Sequence, residues 1–258
     1  IVMELHQVPI AMMIMMKKDK EKLKVKVFED RNHLIEELDR VFSQKSALIT
    51  FIDDFRNKLK APLSYPLNNL DDVAKVSIDK STIRAFHTGK YFPPLKTYHS
   101  WAANKLKEDF VKIQSIDSFD FMMEYIISAG YELGRFWRVK LENYSEHNHF
   151  KSTAVMDIGR AAKLYSLTVK HLLLLQDDFL TVEKKQQLSK VLTVPLDKFT
   201  LQAIREIFPD LNIRKDSSMG FVSDESVFRD IQARIKDLVA PNYDPFDYEI
   251  LVWNITHT

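Results

Sequence analysis

The stretch Asp157-Ile158-Gly159-Arg160-Ala161-Ala162-Lys163-Leu164-Tyr165-Ser166-Leu167-Thr168-Val169-Lys170 opens on small residues and continues into an apolar face. Gly159, Ala161 and Ala162 begin a helix expected to run from Ile158 to about Leu175. Small side chains there admit a neighbouring backbone, or a phosphate approaching the free N–H groups of a helix N-terminus. Lys163 and Lys170 are seven apart, so they share a face two turns from each other. Further on, Thr193-Val194-Pro195-Leu196-Asp197-Lys198-Phe199-Thr200-Leu201 sets Asp197 near the first turn of another helix.

Helical periodicity extends outward from this region in both directions. Leu34, Leu38, Val41 and Phe42 share one face, and Leu48, Ile52, Phe55 and Leu59 form a second stripe. Short helices are expected from about Leu70 and from Asp79, the latter stopped at Gly89. Longer ones are expected over Lys96–Ile113 and from a cap at Asp117 or Ser118 through Trp137. Others follow over Val182–Val191, Leu196–Phe208, Ser223–Val239 and Pro245–Trp253. No set of alternating strands appears after residue 30 and no fixed repeat recurs. The expected class is all-α: a multi-helix globular domain over 30–258, preceded by an N-terminal arm over 1–29 that is irregular or a short strand. A polar loop near Tyr144–Lys151 is the point at which a division into two lobes around a cleft would be expected.

Composition excludes several kinds of chemistry. The 258 residues hold 45% hydrophobic side chains, enough for a sizeable core. Five glycines, none clustered, do not build a phosphate-cradling loop of the nucleotide-binding kind. Zero cysteines remove disulfides, thiolate metal sites and cysteine nucleophiles, and fit a reducing, cytoplasmic setting. Lys+Arg totals 37 against 36 Asp+Glu, so no global field draws the chain to nucleic acid or membrane. The run Ala11 to Met16 is followed by Lys17-Lys18, the reverse of a secretion signal, and is too short to span a bilayer.

Other chemistry-bearing residues read more simply. His147 and His149 lie in the polar loop without the fixed face of a helical i, i+4 pair, and no third metal ligand is evident. His87, His99 and His171 stand alone in helical sequence. Arg135 and Arg138 share a helix face beside Phe136 and Trp137, which suits either a phosphate or arginines spread around a packed Trp. No cofactor or metal site is expected.

The pairing of Gly159, Lys163 and Val194-Pro195-Leu196-Asp197 resembles the helix-hairpin-helix DNA glycosylase superfamily, in particular its archaeal 8-oxoguanine glycosylase branch. The resemblance covers about residues 155–204. Lys163 and Asp197 are 34 apart, in keeping with the expanded hairpin of that branch. Where the family has a Leu-Pro-Gly-x-Gly hairpin, this chain has Val155-Met156-Asp157-Ile158-Gly159 and keeps one glycine.

The resemblance implies a DNA-binding base-excision glycosylase/lyase. Lys163 would be the amine nucleophile on the sugar C1′, and Asp197 would stabilise the cationic sugar or shuttle the amine proton. Gly159, Arg160 and Lys170 would contact DNA. Tyr165, Phe199 and Trp253 would line the pocket for an extruded base. Residue by residue, the alternative is a non-enzymatic, all-α intracellular binding or defence-associated protein with a protein partner. In that reading Lys163 is a solvated helix lysine and Asp197 a helix-start carboxylate favoured by the dipole.

Overall fold

In the computed structural model, which describes residues 27–59, 63–86, 92–144 and 155–257, the described residues are helical with no sheet. Ten α-helices appear among them: α1 Arg31–Phe42, α2 Ala47–Lys58, α3 Leu70–Ser77, α4 Pro94–Ser115, α5 Phe119–Tyr144, α6 Ile158–Lys170, α7 Val182–Val191, α8 Lys198–Ile207, α9 Glu225–Val239 and α10 Pro245–His257. The all-α class expected from periodicity is what the chain adopts.

Most starts follow local capping chemistry. The side chains of Asp30, Ser46, Asn69, Asp157, Thr181, Asp197 and Asp224 each accept a backbone N–H from the first turn they precede. Ser118 rather than Asp117 caps α5, accepting from the Phe121 N–H at 3.2 Å.

One expected helix is replaced by a turn. The Asp79 carboxylate collects the Ser81 hydroxyl, the Thr82 N–H and the Thr82 hydroxyl, all within 2.9 Å. Such local bonds compete with helix formation, and only a short 3-10 turn, Arg84–Phe86, follows. The helix starting at Ile158 is α-helical only to Lys170; His171–Leu174 tightens into a 3-10 turn. There the His171 ring nitrogen meets the Leu167 carbonyl at 2.7 Å.

α5 and α6, which flank residues 145–154, pack against each other along a stripe of small residues. A Cβ on Gly130 would meet Ile158 Cδ1 at 2.8 Å, so the absence of a side chain sets how closely the two helices lie. Trp137, fully buried, has Phe86 and Phe92 edge-on at 5.4 and 5.0 Å. α10 packs against α1, α2, α7, α8 and α9. Val27 and Phe28, expected in the arm, are buried in this core. The strand expectation before Val27, the Gly89 stop, His87 and the His147/His149 pair lie outside the described residues. No helix among the described residues is long and apolar enough to cross a membrane.

Candidate active site

α6 presents its least buried stripe at Arg160, Lys163 and Leu167, spaced three or four apart, and His171 continues the stripe in the 3-10 turn that follows. The Lys163 side chain keeps 12% of its surface exposed. Its Nζ lies 3.9 Å from Asp197 Oδ2, an ionic contact too long for a hydrogen bond. Burial pushes the Lys163 ammonium below the ordinary lysine range, and the charge of Lys170 adds to this; Asp197 and Asp79 oppose it. A lysine held this way keeps more neutral amine near physiological pH than an exposed one does.

Asp197 divides its carboxylate between two duties. Oδ1 accepts the N–H groups of Phe199 and Thr200, at 2.9 and 3.1 Å, and so caps α8. Oδ2 is the oxygen nearest Lys163. In return the Thr200 hydroxyl accepts the Asp197 N–H at 2.8 Å, completing a capping box.

Several further bonds fix the segment that carries Asp197. The buried hydroxyls of Ser166 and Thr193 meet at 2.8 Å, tying α6 to this segment one turn beyond Lys163. Fully buried Gln232 of α9 accepts the Val194 N–H at 3.0 Å and donates to the Val194 carbonyl at 2.6 Å. The Thr200 hydroxyl also lies 3.1 Å from the Pro195 carbonyl. On the α10 side, the buried Tyr248 hydroxyl donates to the Thr200 carbonyl at 3.3 Å. Its neighbour Glu249 is hydrogen-bonded to Lys170.

The structure therefore brings Lys163 and Asp197 together but corrects the expected nucleic-acid contacts. Lys170 is buried, paired with Glu249 and stacked 5.1 Å from the Phe51 ring centroid, so it does not face a phosphate. Gly159 faces the protein's own backbone: an added Cβ would sit 2.3 Å from the Val222 carbonyl oxygen. The Asp157 carboxylate caps α6 and pairs with the Arg160 guanidinium, supplying the negative charge that an incoming phosphate would bring. Burial raises the Asp157 carboxyl, with the Arg160 backbone and charge opposing.

The expected pocket residues differ in exposure. Tyr165 is fully buried on the far side of α6, its hydroxyl 2.6 Å from that of Tyr125, so it does not wall an open pocket. Phe199 is half-buried two residues after Asp197 in the chain. Trp253 is 40% exposed one helical turn beyond Glu249, with the Lys58 ammonium 5.5 Å from its ring centroid. Of Arg135, Phe136, Trp137 and Arg138, the Trp packs inside while both arginines are exposed.

Gln232, Thr200 and Glu249 were not singled out by sequence reasoning. Gln232 carried a signal: it falls on the apolar stripe of α9 with Phe228, Ile231, Ile235 and Val239, where a polar residue needs a buried partner. Glu249 carried the same signal inside Tyr248-Glu249-Ile250-Leu251-Val252. Among the described residues no group of three or more His, Cys, Asp or Glu side chains is placed to hold a metal ion. No family model, no curated protein and no solved structure matches the chain.

Proposed function

We propose that this chain is a DNA-binding protein with base-excision glycosylase/lyase chemistry, in which Lys163 is the amine nucleophile. The observation that carries the reading is the 3.9 Å approach of Lys163 to Asp197, two residues 34 apart in sequence. The lysine nitrogen attacks the sugar C1′, the glycosidic bond breaks, and the base leaves with the bonding pair. Asp197 Oδ2, the adjacent acceptor, takes a proton from the attached nitrogen. The nitrogen lone pair then forms the C=N bond as the C1′–O4′ bond breaks, and O4′ takes up that proton, giving the ring-opened Schiff base. Burial of Lys163 supports the same role by favouring the neutral amine.

A non-enzymatic binding protein is the second reading, and the closed N-terminus of α6 favours it. Met219 and Val222 cover Gly159, while Asp157 engages Arg160. In that account the Lys163–Asp197 contact joins two helices and does no chemistry.

Borohydride trapping on abasic and oxidised-base duplexes separates the two readings. The enzyme reading expects a covalent adduct that disappears in Lys163→Ala and forms at least tenfold more slowly in Asp197→Asn. No adduct with any duplex, together with no salt-sensitive DNA binding, overturns it in favour of the binding protein.

A further inference from the structure

We propose that Thr200 is a positioning residue for the Lys163–Asp197 pair, its hydroxyl fixing the main chain at Pro195–Asp197 so that Asp197 Oδ2 stays turned to the lysine. The inference rests on reading Lys163 and Asp197 as a reactive pair. Thr200 touches neither the lysine nor any reacting atom, and it acts through Asp197 alone.

Asp197 Oδ1 is occupied by the helix cap, which holds one edge of the carboxylate against the α8 backbone. That cap sets where Oδ2 points only if the Asp197 main chain is itself fixed. The Thr200 hydroxyl, which also lies 3.3 Å from Oδ1, does this. It accepts the Asp197 N–H at 2.8 Å and lies 3.1 Å from the Pro195 carbonyl, so one atom pins both ends of the Pro195–Asp197 step. Thr200 is 5% exposed, which excludes water as a replacement partner of equal quality. Its own carbonyl is held in turn by the Tyr248 hydroxyl at 3.3 Å, which anchors the turn to α10.

The geometry also shows why threonine suits the position. A capping box usually uses a long Glu or Gln at this place. Here a carboxylate would put a second negative charge next to Asp197 in a buried setting, and would compete with it for the lysine. A hydroxyl supplies the acceptor without the charge.

The test uses the full chain with Thr200→Val, Thr200→Ser and Asp197→Asn, and the double variant Thr200→Val/Asp197→Asn. Trace labelling with acetic anhydride across pH, read peptide by peptide by mass spectrometry, gives the titration of Lys163 without any DNA. Thr200→Val is expected to lower the Lys163 midpoint by about half a pH unit, because a displaced Asp197 no longer favours the ammonium. Thr200→Ser is expected to restore it. In the Asp197→Asn background Thr200→Val is expected to add no further shift. Should Thr200→Val fail to fold, Thr200→Ala replaces it in the same series. An unchanged Lys163 midpoint, or an equal shift with and without Asp197, overturns the positioning role. Trapping on an abasic duplex is read separately: a loss of at least threefold in Thr200→Val, with unchanged KM, is expected. If no variant traps DNA while the labelling behaves as described, the glycosylase reading fails and with it the catalytic sense of the positioning role, leaving Thr200 as a structural support of the Lys163–Asp197 contact.

Discussion

Ser166 on α6 and Thr193, four residues before Asp197, join their buried hydroxyls at 2.8 Å. Lys163 lies one turn earlier on the same helix, so this bond locks the lysine-bearing helix to the segment that ends at the carboxylate. The separation of Lys163 and Asp197 is consequently a property of the core, with Ser166, Thr193, Gln232 and Thr200 all contributing bonds to it.

Gln232 gives the clearest stability test of that arrangement. Gln232→Leu strands the N–H and C=O of Val194, both of which it now satisfies. Leaving such groups buried and unpaired costs about 3 kcal/mol in total. Urea denaturation followed by circular dichroism should show the loss, and a midpoint within error of the parent would refute the clamp.

Glycine tolerance should differ sharply between two nearby positions. At Gly159 the added methyl meets backbone, with the Val222 and Met219 carbonyl oxygens at 2.3 and 2.7 Å. At Gly220 it meets the far end of the Arg160 side chain at 3.0 Å, which can swing aside. Gly159→Ala is expected to destabilise by about 3 kcal/mol and Gly220→Ala by under about 1 kcal/mol. Thermal unfolding of the two variants side by side checks the contrast.

Lys170 and Glu249 are a buried ion pair, each under a tenth exposed. Removing one partner leaves the other charge buried alone, so Lys170→Met is expected to cost about 3 kcal/mol. The double variant Lys170→Met/Glu249→Leu should recover most of that loss, because neither charge is then desolvated. A double variant less stable than Lys170→Met would show that the pair contributes more than mutual neutralisation.

Two groups predict opposite pH dependences. Burial, with a smaller effect of the Lys170 charge, depresses His171 from 6.5 to about 3. The unfolded chain therefore binds a proton that the folded one rejects, and stability declines as pH falls from about 6.5 toward about 3. His171→Phe should flatten that part of the stability profile. Burial, helped by the charge of Asp247, raises Asp244 from 3.8 to about 6. Its ionisation opposes folding above about pH 6 and ceases to do so below about 3.8. Asp244→Asn is expected to stabilise the protein by about 1 kcal/mol at pH 7.5 and by nothing at pH 3.5. Urea midpoints measured at pH 3.5, 5 and 7.5 test both; a gain in Asp244→Asn that persists at pH 3.5 would contradict the assignment.

The sequence by itself placed most of the helices, because amphipathic periodicity and capping are set by neighbours within about four residues. Val182–Val191 is bounded as its pattern implied, with Thr181 supplying the cap. Periodicity likewise placed α9 and α10 to within a few residues at each end. Even the failure at Asp79 was local in origin, since the competing Ser81 and Thr82 bonds lie within three residues of it. Tertiary structure alone decided what stands opposite each helix face. Gly159 left a helix N-terminus open to a phosphate or to another backbone, and residues some sixty positions later, Met219 and Val222, filled it. Lys170 shared a face with Lys163 in the sequence, yet Glu249, separated from it by 79 residues, drew it into the interior. The approach of Asp197 to Lys163 was implied by resemblance, whereas no local preference encodes it. It depends on hydrogen bonds from Ser166 and Gln232 to Thr193 and Val194, which form only once α6 and α9 have packed around that segment.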